Sequence, residues 1–163
     1  MGTFTRSTDS FQTSSDGLDF NGSDTGDTWT ISPNIFVTSQ TQTGVNSNGA
    51  TNNTLINNGF IASLGSNQYG VELYNGTEIV INEAGAEIFS AATLAGRAAV
   101  FLNGTTGDHL DNLGIITGVR SGVDTAKMLL GLGHSISGLS SVNLQGYSMS
   151  RFLTEVDLLT LAR

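Results

Sequence analysis

Leu55-Ile56-Asn57-Asn58-Gly59-Phe60-Ile61 sets the pattern for the chain: a short apolar run, an Asn, a Gly and a second apolar pair. The same shape returns as Val80-Ile81-Asn82-Glu83-Ala84-Gly85-Ala86-Glu87-Ile88 and as Leu110-Asp111-Asn112-Leu113-Gly114-Ile115-Ile116. The spacing is 26 residues from Gly59 to Gly85 and 29 from Gly85 to Gly114. A second unit follows each copy: Tyr69-Gly70-Val71-Glu72-Leu73-Tyr74-Asn75-Gly76, then Ala99-Val100-Phe101-Leu102-Asn103-Gly104, then Ala126-Lys127-Met128-Leu129-Leu130-Gly131. A period in the twenties, made of short strands joined by Asn/Gly turns, predicts an all-β parallel β-helix, a β-solenoid whose successive coils pair in parallel. An up-and-down antiparallel sandwich would need no matched Asn/Gly register.

Weaker copies extend the repeat. Thr28-Trp29-Thr30-Ile31 with Gly44-Val45-Asn46-Ser47-Asn48-Gly49 predicts an earlier coil, and Ser135-Ile136-Ser137-Gly138 with Val142-Asn143-Leu144-Gln145-Gly146 a later one, giving about five coils. At a strand spacing of about 4.8 Å the prism is about 24 Å tall. Ile56, Ile81 and Leu110 are expected to stack inward on one face, and Val71, Val100 and Met128 on another. Asn57, Asn82 and Asn112 fall at equivalent turns, where Asn accepts left-handed geometry and can ladder its amides, with the following Gly supplying the bend.

The succession I-N-x-G-x-I and G-V-x-L-x-N-G, over roughly residues 27 to 147, resembles the repeats of bacterial surface β-helix proteins. These include filamentous-haemagglutinin-like and autotransporter-passenger solenoids and, nearest in pattern, the β-solenoid portions of hemolysin-type proteins. The resemblance implies a secreted or surface-exposed solenoid serving adhesion, scaffolding or surface assembly. The tandem calcium nonapeptide G-G-x-G-x-D of the hemolysin-type proteins does not occur in this chain.

Composition agrees with an all-β, turn-rich domain. The 163 residues include 21 glycines, and charged residues make up 12%, about half of what an ordinary soluble domain carries. The net charge is −8, with one lysine (Lys127) and five arginines. So few cations build no basic patch, which argues against nucleic-acid binding. No cysteine is present, which removes disulfides, zinc–thiolate sites and cysteine nucleophiles. No apolar stretch approaches the roughly 18 residues of a membrane span. The opening residues Met1-Gly2-Thr3-Phe4-Thr5-Arg6 have no apolar core of a signal peptide. The expected location is therefore extracellular or cell-surface, reached without a classical signal peptide or after its removal.

Three segments are expected: a polar N-terminal arm or loose first coil over 1–26, the solenoid over 27–147, and an amphipathic C-terminal segment over 148–163. In the last, Met149, Phe152, Leu153, Val156 and Leu159 share a helical face, and a helical or strand cap is predicted. Solenoid ends carry unpaired strand edges, so an end without a cap favours stacking between copies.

Asp16, Asp19, Asn21, Asp24 and Asp27 are dense enough in oxygen ligands to suggest calcium, but their spacing does not fit a calcium-binding loop. His109 sits beside Asp108 and Asp111, whereas His134 stands apart, and no G-x-S-x-G is present. Glu72, Glu78, Glu83 and Glu87 are spread over different turns, and Arg97, Arg120 and Lys127 do not repeat in register, so no glycosidase-like carboxylate pair is predicted. Glu83 and Asp111 are the one pair expected to approach. Trp29, Tyr69 and Tyr74 are the aromatic residues suited to a glycan. Thr28-Trp29-Thr30 and Thr41-Gln42-Thr43 have the T-x-T form of ice-binding solenoids, with nothing stacking one period later. The expected function is that of a non-enzymatic protein, without catalytic, metal or cofactor site, that self-assembles through its ends. The alternative is an adhesin or carbohydrate-binding module of a larger surface protein.

Overall fold

The computed structural model describes residues 1–20, 25–103, 107–119, 123–124 and 135–137. Among them are sixteen strands and no helix. The first coil holds β1 (Thr3–Arg6), β2 (Ser10–Gln12) and β3 (Leu18–Asp19). The second holds β4 (Thr28–Ile31), β5 (Phe36–Ser39) and β6 (Val45–Asn46). The third holds β7 (Thr54–Asn57), β8 (Phe60–Ser63) and β9 (Val71–Tyr74). The fourth holds β10 (Ile79–Asn82), β11 (Glu87–Ser90) and β12 (Val100–Asn103). The fifth holds β13 (His109–Asn112), β14 (Ile115–Gly118) and β15 (Val123–Asp124), and β16 (Ser135–Ser137) follows.

Each strand pairs in parallel with the third strand before and after it. Sheet A runs β1-β4-β7-β10-β13-β16, sheet B β2-β5-β8-β11-β14, and sheet C β3-β6-β9-β12-β15. The chain is thus a three-sided parallel β-solenoid. Four turns separate β1 from β13, and β14, β15 and β16 carry the winding into a fifth. Residues 3–19, where the sequence allowed an arm or a loose coil, form the first coil and bury Phe20 behind it. The C-terminal segment 148–163 and the coil expected from Val142 lie outside the described residues.

The core is a stack of aliphatic columns, each fully buried member contributing about 1.5–3 kcal/mol. On sheet A the inward column is Leu55, Val80 and Leu110, all fully buried, because Ile56 and Ile81 pair in register with Asp111. The expected column Ile56–Ile81–Leu110 is therefore wrong by one residue at two of its three positions. A one-residue slip reverses the face of a strand, and Leu55-Ile56 and Val80-Ile81 are apolar on both faces, so alternation could not set the phase. On sheet C Val71 and Val100 do share a column, and the backbone register next pairs Val100 with Val123. Met128 lies outside the described residues.

Polar side chains fill the three corners. Between sheets A and B, Asn57, Asn82 and Asn112 align as expected. The amide Nδ2 of Asn57 donates to Asn82 Oδ1 at 2.8 Å, and that of Asn82 to Asn112 Oδ1 at 2.8 Å. These asparagines are not left-handed; positive φ falls instead on Asn34, Asn48, Asn52 and Asn75. Their role is hydrogen bonding inside a dry corner. The glycines also differ from expectation. Gly59 and Gly114 close two-residue corners, and Ala86 is their counterpart, whereas Gly85 belongs to a four-residue corner with φ 84°. A Cβ on Gly59 would lie 2.4 Å from the Ile35 carbonyl, and one on Gly114 2.4 Å from that of Ala86, so each tight corner nests against the longer corner of the coil before.

Between sheets B and C stands a serine ladder that the sequence reading missed. The hydroxyls of Ser39, Ser63 and Ser90 donate to the carbonyls of Ser15, Gln42 and Gln68 at 2.7, 2.7 and 2.8 Å. Each also accepts an amide of its own corner, from Gln42, Gly65 and Ala92.

Candidate functional site

The corner between sheets C and A carries acids. Asp27, Asn53, Glu78 and Asp108 occupy its equivalent positions, immediately before β4, β7, β10 and β13, and all are buried. Each accepts backbone amides from the coil before. Gly2 N donates to Asp27, Asp27 N to Asn53 Oδ1 at 2.8 Å, and Glu78 N to Asp108 Oδ1 at 2.9 Å. Glu78 takes two, from Asn52 N at 2.7 Å and Asn53 N at 3.1 Å. Asp27 and Glu78, read in the sequence as unconnected acids, therefore share one column with Asp108.

Burial pushes the Glu78 carboxyl up to about 7, opposed by the two amides it accepts and reinforced by Asp108. The folded chain then keeps a proton that an unfolded glutamate releases near 4.5. Stability should fall as pH rises between those values, by about 1–3 kcal/mol, and level off above them. Denaturant midpoints at pH 5 and pH 8 measure this, and Glu78→Gln should flatten the difference.

A second acidic group forms on sheet C, where Asp19, Asn46 and Glu72 align outward. Asp16 accepts Thr43 N at 2.8 Å and Asn46 Nδ2 at 3.0 Å, tying the first coil to the second. Burial raises Glu72, and Arg97 opposes the shift; burial, then Asp16, raises Asp19. Asn21 and Asp24 lie outside the described residues, as do Arg120, Lys127 and His134. Among the described residues no group of three His, Cys, Asp or Glu side chains is placed to hold a metal ion. The register sets Asp111 against Ile81, not Glu83, so the one carboxylate pair expected to approach does not stack. Glu83 lies at the corner between β10 and β11, and Glu87 opens β11 on sheet B.

Of the aromatic residues considered for a glycan, Tyr69 and Trp29 are packed against other rings. Tyr69 is 3% exposed, stacks on Phe101 at 4.7 Å and lies under the Arg97 guanidinium at 4.7 Å. Trp29 is sandwiched between Phe4 at 4.6 Å and Phe20 at 5.2 Å. Tyr74 is half-buried beside Asn103 in sheet C.

Two other surfaces are exposed. On sheet B the outward column reads Phe11, Thr38, Ala62, Phe89, so small residues are bracketed by two rings. With Phe60, Leu64, Gln40 and Glu87 at its sides this makes a cleft of about 570 Å³. Phe11 is 66% and Leu64 55% exposed. The sequence hid this cleft because successive members of its central column stand 24 or more positions apart. The other surface is the edge of the first coil, which no described strand covers. The carbonyls of Gly2, Arg6 and Gln12 accept Thr28, Ser32 and Gln40, all from the second coil. Alternate residues Thr3 and Thr5 direct their amides and carbonyls the other way, where no described strand pairs with β1.

The T-x-T motifs also fall differently from expectation. Thr3-Phe4-Thr5 stacks in register beneath Thr28-Trp29-Thr30, one period earlier, and Thr54 stacks above Thr28. Thr41 and Thr43 lie in the corner before β6, and their hydroxyls reach Thr13 O and Gln68 Oε1.

The chain matches no protein-family model, no curated protein and no solved structure. The class defined by the fold is a β-solenoid, and no helix of the described residues is long and apolar enough to cross a membrane.

Proposed function

We propose that this chain is a non-enzymatic structural protein of the cell exterior that assembles with copies of itself through its solenoid ends. The carrying observation is the first coil. Among the described residues no strand pairs with the outer edges of β1, β2 and β3, and Arg6 and Asp19 are the only charged side chains in these strands. Edge strands so lightly guarded are templates for parallel addition, and a contact of that kind that does not close on itself grows into a filament.

The experiment is a Thr5→Pro substitution followed by light scattering and negative-stain imaging. Proline at an outward-facing amide leaves the bonds to β4 intact but blocks a strand from adding. Wild-type chain is expected to form oligomers or fibres, and the variant to stay monomeric with an unchanged unfolding midpoint. Monodisperse wild-type monomers at high concentration would sink the proposal.

A second reading, a binding module of an adhesin, is favoured by the cleft between Phe11 and Phe89. Its predominantly apolar lining suits an apolar group better than a bare sugar. A monomeric chain whose partner binding is lost on Phe11→Asp would select this reading over assembly.

A further inference from the structure

The outward face of sheet A carries two columns, Thr3–Thr28–Thr54–Ile79 and Thr5–Thr30–Ile56–Ile81. We propose that this face binds ice. It is a different surface from the first-coil edge, and the inference stands or falls apart from the assembly reading.

Three observations carry it. The first is spacing: parallel coils repeat at about 4.8 Å, and residues two apart along a strand at about 6.7 Å, so the columns form a two-dimensional lattice. Rows of water oxygens on the prism faces of ice repeat at comparable distances. The second is that the hydroxyls have no hydrogen-bond partner among the described residues. None of the five threonine hydroxyls is bonded to another described residue, whereas Thr41 and Thr43, off this face, spend theirs on the protein.

The third is charge. In a chain of net charge −8, neither column has a charged side chain over four coils, and His109 and Asp111 appear only at the fifth. A charged partner would find nothing to pair with, while a neutral lattice of water meets no ion whose hydration shell it must disrupt. Threonine and isoleucine methyls order the water over them, and the hydroxyls anchor it by hydrogen bonds. The inward column Leu55–Val80–Leu110 is buried behind β7, β10 and β13, which holds the lattice rigid.

The test is thermal hysteresis of the purified full chain, together with its retention in a slowly growing ice hemisphere. Wild type should depress freezing below melting and be enriched in the ice. Thr28→Lys should lose most of the hysteresis, several-fold or more, with an unchanged unfolding midpoint. Thr54→Lys, one coil on, gives the same reading should the first variant fail to fold. Phe36→Lys, the same added charge on sheet B, should keep the activity. A wild-type chain with no hysteresis and no retention in ice overturns the inference, and so does equal loss in Thr28→Lys and Phe36→Lys.

Discussion

Asn82→Ala is expected to destabilise the solenoid by about 3–5 kcal/mol, a large part of the 5–15 kcal/mol of an ordinary domain. The side chain makes three hydrogen bonds in a dry corner. It accepts Asn57 Nδ2 at 2.8 Å and donates to Asn112 Oδ1 at 2.8 Å and to the Ile115 carbonyl at 3.1 Å. Alanine strands acceptors on the fifth coil and weakens the hold on Asn57, and a buried group left unsatisfied costs about 1–3 kcal/mol. Asn82 is fully buried, so solvent cannot replace the lost partners. The denaturant midpoint should drop with the slope unchanged, as for a loss of stability without a change of fold. A midpoint within error of wild type would show that the ladder contributes little and that the aliphatic columns alone set the register.

Gly70→Ala should also destabilise the solenoid, for a reason of space. A Cβ there would lie 2.6 Å from the Ala99 carbonyl and 2.7 Å from that of Phe89, both backbone atoms. Gly44 and Gly17 stand below it, and their added carbons would meet the carbonyls of Gly70 at 2.5 Å and Gly44 at 2.6 Å. One methyl group must therefore force two coils apart or push β9 outward, and overpacking of this kind costs about 1–3 kcal/mol or more. Gly85 makes the control. It has φ 84° but nothing within 4 Å of an added Cβ, so Gly85→Ala carries only the left-handed penalty of about 1–2 kcal/mol. Unfolding midpoints of the two variants compared with wild type check this. Equal losses would mean that backbone conformation, not coil spacing, governs these corners.

The first-coil edge, the cleft and the threonine lattice lie on different surfaces. The edge proposal depends on backbone groups of β1 that point away from β4. The cleft depends on the bracketing of Thr38 and Ala62 by Phe11 and Phe89, and the lattice on threonine hydroxyls without partners among the described residues. A monomeric chain active on ice, a filament inert to ice and a ligand-binding monomer are three distinguishable outcomes of the experiments above.

The period, and therefore the fold, was already legible in the amino-acid sequence. Asn57, Asn82 and Asn112 recur with matched flanking strands, and a parallel solenoid is the arrangement that sets such residues side by side. The sequence also determined the low charge and the absence of cysteine chemistry. Tertiary structure alone decided which face of each strand turns inward, because Leu55-Ile56 and Val80-Ile81 read equally well in either phase. It decided which glycines are equivalent, because corners of two and four residues alternate and displace Gly85 from Gly59 and Gly114. It also assembled the serine ladder, the acid column, the cleft and the threonine lattice. Each of these joins residues some 25 positions apart whose local sequence resembles that of any turn or strand, and they become neighbours only when one coil is laid on the next.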